Sequence, residues 1–479
     1  MKTILSGANV FVNGSFLKKD IHIEDGIIVS LSDCLLNNSQ KTDDSSISIV
    51  DYTDKYIFPG FVDVHVHFRE PGFSYKEDIA SGSLAAAHGG YSHVFTMPNL
   101  MPVPDSIENM SEELKAIRDK ACVKVYPYAS ITKGEKGEEL VDFEELTDFF
   151  RRLVENEVSL DTESASAGKR MSWPVRLAGF SDDGTGVESS SYMEEAMRRV
   201  AGIGGIISAH CEFKGILGGK NVHDGVLARE LGIKGISSES EWKMVERDIE
   251  LAKKTGCRYH VCHVSTLESV ELIRQAKKQG IDVTCETGPH YLLLCDEDIL
   301  AGIQKEKGYE CGQCNTDGGI DRNYTVKYGV GRFKMNPPIR SKADRDALIE
   351  GLKDGTVDMI ATDHAPHSLE EKAKGFDGPM GVVGLEAAFP VLYTGLVKSK
   401  VLSLEKLIDL MSIAPAKRFG VEHGIEPGHP ADLTVFDLDS EYVIDPDKFY
   451  TKGRFTPFEG RKVFGKCIAT YVDGVAIVG

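Results

Sequence analysis

The 479-residue sequence holds no apolar run near the ~20 residues that a membrane-spanning helix needs. Its opening stretch, MKTILSGANVFVNGSF, is broken by Ser, Asn and Gly too early for a secretory signal. A cytoplasmic location is the expectation that follows. Positive charge is scarce: 55 Lys and Arg stand against 74 Asp and Glu, a net charge of −19. That balance argues against a general nucleic-acid or anionic-membrane partner, although a local arginine can still reverse the field inside a pocket. The ten cysteines, at 34, 122, 211, 257, 262, 285, 295, 311, 314 and 467, are scattered. In a reducing compartment they read as free thiols that mostly act as small buried apolar residues. Cys311 and Cys314 form a lone C-x-x-C, weak evidence for half a zinc site or a redox pair. No internal repeat is visible, and no G-x-G-x-x-G follows the first central strand, so a Rossmann-type open sheet has little support.

What is present is most informative at Phe58 to Gly72, FPGFVDVHVHFREPG. Val62, Val64, Val66 and Phe68 alternate with Asp63, His65, His67 and Arg69, the period of a β-strand. One face is apolar, and the other carries an acid, two imidazoles and a guanidinium. Solvated strand faces favour Thr, Lys or Glu. The His-x-His stripe therefore points to a metal ion as its natural partner.

The termini share a texture. Asn-Gly in ANVFVNGSF, Asp-Gly in DIHIEDGIIVSLS and Asp-Gly in KCIATYVDGVAIVG each signal a β-hairpin. Residues 1–56 and 425–479 are read as one small β-rich domain assembled from both ends. Between them, strand-like runs at 91–97, 123–130, 176–182, 205–211, 258–264, 281–287 and 357–364 follow the opening strand. They mostly alternate with helical patterns such as SYMEEAMRRVAG, WKMVERDIELAKKTG, LESVELIRQAKKQG and KADRDALIEGLKDG. Eight strands in this rhythm suggest an α/β fold of the (β/α)₈ TIM-barrel type over 57–424. Residues 155–174 and 303–332 interrupt the rhythm and read as insertions, long enough to be functional or mobile.

Polar residues gather at the C-terminal ends of these strands, where such a barrel builds its active site. His65 and His67 close the first, Asp182 and Asp183 the fourth, His210 the fifth, His263 the sixth and Asp363 the last. Any one of these alone has an ordinary structural explanation. Together they form a ligand set for zinc or a similar divalent ion. Such an ion acidifies bound water toward neutral pH, and Asp363 is placed to take its proton and pass it to a leaving nitrogen. The chemistry is hydrolysis of an amide-like bond, or its reverse. Arg69, Asn99 and His367 would suit a substrate carboxylate.

The ordered series DVHVHFREPG, FTMPN, ASITKGEKGEEL, GFSDDG, SAHCE, CHVST, KMNPPIR, ATDHAPH and GVVGLE resembles the amidohydrolase superfamily, and within it the class I dihydroorotases. IEPGHPADLTVFDL is similar to that family's return to its small β-domain. The resemblance covers nearly the whole chain. It implies interconversion of dihydroorotate and N-carbamoyl-L-aspartate in pyrimidine synthesis, with one or two Zn²⁺ ions. It implies His65, His67, His210, His263 and Asp363 as ligands, Arg69, Asn99 and His367 as the carboxylate-binding set, and Asn336 on the pyrimidine side. Where many relatives carry a bridging carboxylated lysine, class I enzymes resemble this chain in having an Asp. By its spacing to His210, Asp183 is the better match, with Asp182 the alternative.

An allantoinase or hydantoinase-like cyclic amidase is the competing enzyme, though such enzymes usually keep the bridging lysine. A non-catalytic subunit scaffolding aspartate transcarbamoylase is the third reading; such pseudoenzymes typically lose metal-ligating histidines, and this chain has all of them. Association with aspartate transcarbamoylase alongside catalysis, and a homo-oligomeric state, are the partner expectations.

Overall fold

Three two-residue turns shape the largest sheet. Asn13-Gly14, Asp25-Gly26 and Asp473-Gly474 all have positive φ at both positions. This is the turn geometry whose twist matches that of paired antiparallel strands. In the computed structural model, which describes residues 2–34, 46–155, 175–306 and 325–479, these turns sit in an eight-stranded sheet drawn from both ends of the chain. The strand Tyr56–Pro59 pairs with Lys2–Val12 on one side and with Leu433–Val443 on the other. N-terminal and C-terminal strands thereby share one ladder. A separate apolar cluster including Leu5, Val10, Ile21, Ile57, Leu433 and Val435 packs against it.

The remainder is mixed α/β. Phe61–Val66, Tyr91–Thr96 and Lys124–Pro127 form one parallel sheet; Ile206–Ala209, Arg258–Val261, Val283–Thr287 and Met359–Ile360 form another. Single bridges lie between them: Ala129 to Phe180, Phe180 to Ile207, and Val66 to His364. Phe61–Val66 is buried along its whole length. The polar stripe is therefore internal, and its side chains must find partners inside the protein.

The helices obey the stop signals in the sequence. Glu239–Thr255 ends at Gly256 and Lys342–Asp354 at Gly355, both left-handed, and Leu267–Lys278 runs into Gln279 and Gly280. Ser341 and Asp344 close a reciprocal capping box at the start of Lys342–Asp354.

One expected strand is absent. Residues 176–182 contribute only the bridge at Phe180, because Gly179 at φ 153 turns the backbone out of the extended region and Asp182 opens a turn. Most of the expected insertions, and Cys311 and Cys314, lie outside the described residues. Of the second insertion, residues 303–306 end the helix Asp296–Glu306 and residues 325–332 are described, the N–H groups of Lys327 and Tyr328 donating to Glu459. The eight described cysteines are free thiols. No helix among the described residues is long and apolar enough to cross a membrane.

Candidate active site

Asp183 is the centre of the site. Its Oδ1 lies 3.4 Å from His65 Nε2, 3.5 Å from His263 Nε2 and 3.8 Å from His210 Nδ1, and its Oδ2 lies 3.5 Å from His67 Nε2. Asp363 Oδ1 closes the group at 3.1 Å from His67 Nε2 and 3.5 Å from His65 Nε2. All six residues are buried; five lie in or just after strands and Asp183 follows the bridge at Phe180, and the sequence separates them by up to about three hundred residues. Burial alone would raise the Asp183 carboxyl, but the facing imidazoles of His65, His263 and His67 outweigh it and hold it well below the carboxylate range.

The cluster fits a cation. His65 Nε2 and Asp183 Oδ1 are buried, face each other, and have no hydrogen-bond partner. Native proteins rarely leave such atoms unsatisfied. The triads His65–Asp183–His263 and His65–His67–Asp363 each bring their ligand atoms within reach of a single ion. Imidazole and carboxylate donors suit zinc and similar divalent metals.

Asp182 does something different. Its Oδ1 accepts from the N–H groups of Ile131 (2.7 Å) and Thr132 (3.0 Å), and its Oδ2 accepts from the Thr132 hydroxyl. It fixes the loop after Lys124–Pro127. Between the two adjacent acids, geometry thus places Asp183 in the cluster.

A layer behind the cluster orients it. Glu286 Oε1 accepts from His65 Nδ1 at 2.7 Å, and Glu286 Oε2 lies 3.1 Å from His260 Nε2. Burial would raise Glu286, but His65 and His260 overcome this and keep it ionised. A carboxylate behind an imidazole fixes which nitrogen faces inward. Asp63, pushed up to about 7 by burial, accepts from the His65 N–H and from Thr362 just after the strand Met359–Ile360. Asn99 accepts from His67 Nδ1 at 2.7 Å and donates to the Asp183 side chain at 3.3 Å, so both ends of its amide are engaged within the cluster.

Sequence reasoning did not pick out Glu286, although an ionisable residue inside a buried strand such as Val283–Thr287 is itself a signal. Asp63 stood in the polar stripe but received no role.

Arg69 and His367 stand together at one side. The Arg69 Nε donates to Pro366 O (3.4 Å), and His367 Nε2 lies 2.7 Å from Met380 O. Burial, then the charges of Arg69 and Lys76, push His367 down to about 2, so the ring is neutral. On another side Asn336 Nδ2 lies 3.3 Å from His210 Nε2, and its Oδ1 is buried without a partner.

Three of these residues have left-handed backbone: Arg69 (φ 59), His263 (φ 35) and Asp363 (φ 48). A non-glycine residue there costs on the order of 1–3 kcal/mol and persists where the surroundings over-determine it. Strain at a ligand-like histidine, an acid and a cation on one rim marks the place where aim outweighs stability.

Residues 56–477 match the amidohydrolase family model. The chain is 45% identical to a dihydroorotase of Geobacillus thermodenitrificans over 98% of this chain and 97% of that protein. It is 44% identical to a dihydroorotase of Ligilactobacillus salivarius over 99% and 98%. Among solved structures it is similar to an L-hydantoinase (dihydropyrimidinase) from Arthrobacter aurescens, with a TM-score of 0.78 and 24% identity, covering 99% of this chain and 96% of that one. A dihydropyrimidinase from Brevibacillus agri gives a TM-score of 0.76 at 21% identity, covering 100% and 95%.

Proposed function

The chain belongs to the amidohydrolase family, and from that premise we infer that it catalyses the dihydroorotase reaction, interconverting dihydroorotate and N-carbamoyl-L-aspartate. The observation that carries this reading is the similarity to dihydroorotases along nearly the entire chain. The hydantoinase structures, each below 25% identity, speak for the shared fold.

His65, His67, Asp183, His210, His263 and Asp363 would hold one or two zinc ions, Asp183 lying between the histidine pairs. A zinc ion bound there supplies Lewis-acid polarisation of the ring carbonyl and lowers the pKa of water. The protein's own groups do the rest. Asp363 is ionised, because the facing histidines outweigh its burial. Its carboxylate takes the proton from the attacking water and returns it to the ring nitrogen as that bond breaks. Arg69 meets the substrate carboxylate with a planar guanidinium. Asn336 Oδ1, buried and unpartnered, accepts a ring N–H. Asn99 and His367 join Arg69 at the carboxylate, and the Asn99 Oδ1 also aims His67.

The same proposal takes in the two parallel sheets as one (β/α)₈ barrel. The bridges through Phe180 and His364 support that arrangement. Residues 57–424 would make the barrel domain and 1–56 with 425–479 the small domain. A cytoplasmic homo-oligomer, able to associate with aspartate transcarbamoylase, completes the reading and rests on the resemblance.

The test is dihydroorotate hydrolysis by the purified protein, with bound metal quantified in the same sample and activity followed through chelation and zinc return. Zinc-dependent turnover is expected. Metal-loaded protein that turns over allantoin or hydantoin faster than dihydroorotate would overturn the assignment.

A further inference from the structure

Lys76 lies in the turn between Phe61–Val66 and the helix Ile79–His88. Its ammonium is largely enclosed, with 15% of the side chain exposed. It lies over the rings of Phe73 and Tyr75, at 5.5 and 5.6 Å from their centroids. Its Nζ is 3.2 Å from His367 Nδ1 and 3.2 Å from Glu371 Oε1. Glu371 is also held by the Tyr75 hydroxyl at 3.3 Å.

These contacts decide the state of His367. An ammonium has donors only, so Nδ1 must accept from Lys76. A carbonyl oxygen only accepts, so Nε2 must carry the proton that it donates to Met380 O. Two independent partners select the same tautomer. The Nε2–H is then the ring's single N–H.

We propose that Lys76 is a positioning residue for binding the substrate carboxylate: it fixes His367 as the Nε2–H tautomer and ties the 367–371 segment to the 73–76 turn. The inference deepens the dihydroorotase reading and rests on it for the identity of the anion. Nothing in the bond-breaking step depends on Lys76, so its effect falls on binding.

The test compares wild type, Lys76→Met and Lys76→Arg in steady-state kinetics with dihydroorotate, alongside ¹⁵N spectra of histidine-labelled protein assigned by a His367→Gln variant. Lys76→Met should raise KM about tenfold, the size of one screened charge-assisted hydrogen bond, and leave kcat within about threefold. Lys76→Arg should recover most of that loss. In wild type, His367 should appear protonated at Nε2, and its Nδ1 resonance should move downfield in Lys76→Met as the hydrogen bond is lost. An active wild type with an unchanged KM in Lys76→Met would overturn the proposal, as would His367 protonated at Nδ1. An inactive wild type would sink the proposed reaction instead, and the tautomer measurement would still judge the Lys76–His367 link.

Discussion

At the scale of single residues, the site separates groups that handle protons from groups that aim other groups. In the proposed reaction, Asp363 belongs to the first kind. Asp363→Asn keeps a ligand oxygen but removes the base, so it should retain bound metal and lose turnover by ~10²–10⁴-fold. Metal analysis beside steady-state rates checks this, and near wild-type turnover would remove Asp363 from the role. Glu286 belongs to the second kind, since it touches His65 and His260 from behind. Glu286→Gln can accept with only one oxygen where the carboxylate accepts with two. It should weaken metal affinity by ~10–100-fold, read by competition with a chelator; unaltered affinity would make Glu286 a bystander. The ligand-like histidines were legible because His-x-His on a buried strand has few other uses. The choice between Asp182 and Asp183 was not settled by the residues themselves, since two adjacent acids differ only in where the backbone aims them.

At the scale of elements, the loops after the strands carry the site, and buried acids hold those loops in place. Asp182 is the clearest case: it accepts two backbone N–H groups and the Thr132 hydroxyl. Burial pushes it up to about 6, so a neutral side chain of the same shape is tolerable there. Asp182→Ala orphans buried donors at about 1–3 kcal/mol each, and should lower unfolding stability by at least about 2 kcal/mol. Asp182→Asn keeps an acceptor oxygen and should cost less than about half as much. Urea denaturation of both variants measures the difference; equal losses would show that shape rather than hydrogen bonding matters. The hairpins and helix stops were readable because Asn-Gly, Asp-Gly and terminal Gly each satisfy a local backbone requirement. The 176–182 segment misled because RLAGFSD has the apolar pattern of a strand, while Gly179 adopts a φ that breaks the ladder.

At the scale of the whole molecule, the terminal sheet meets the parallel-strand region through buried ionisable groups. Lys124 on the Lys124–Pro127 strand pairs with Asp432 at 2.8 Å and Asp473 at 2.7 Å. His93 stands 3.5 Å from Asp432, and the ring of His423 meets it edge-on. His423 Nε2 lies 2.8 Å from the Ser412 Oγ, whose single proton is shared between the carbonyls of Pro59 and Gly60 where the terminal sheet hands over to Phe61–Val66. Burial, then the charges of Lys124 and His429, push His423 down to about 3. The unfolded chain, with an ordinary histidine near 6.5, therefore binds this proton first as pH falls. The contribution of neutral His423 is intact above about pH 6.5 and is lost progressively toward pH 3, by up to ~1.4 kcal/mol per pH unit. Buried carboxyls such as Glu113, raised to about 8, act in the opposite sense, so a variant difference isolates the effect. The stability of metal-free wild type relative to His423→Gln should fall between pH 6.5 and 4.5. A difference that stays flat or grows would show that His423 is already charged in the fold.

The sequence alone determined the features that depend on neighbours along the chain. Turn residues set the hairpins, glycines ended helices, and strand-period alternation put His65 and His67 on one side of a buried strand. The order of short motifs carried the family, since each motif is local and their succession is independent of contacts. Tertiary structure decided what depends on aim across long separations. It put Asp183 rather than Asp182 among the histidines, set Glu286 behind His65, turned the amide oxygen of Asn99 to His67, and paired Lys76 with His367 across nearly three hundred residues. A carboxylate or an ammonium reads alike in any sequence context. Its role is fixed by the donor or acceptor it faces, and only the folded backbone chooses that partner.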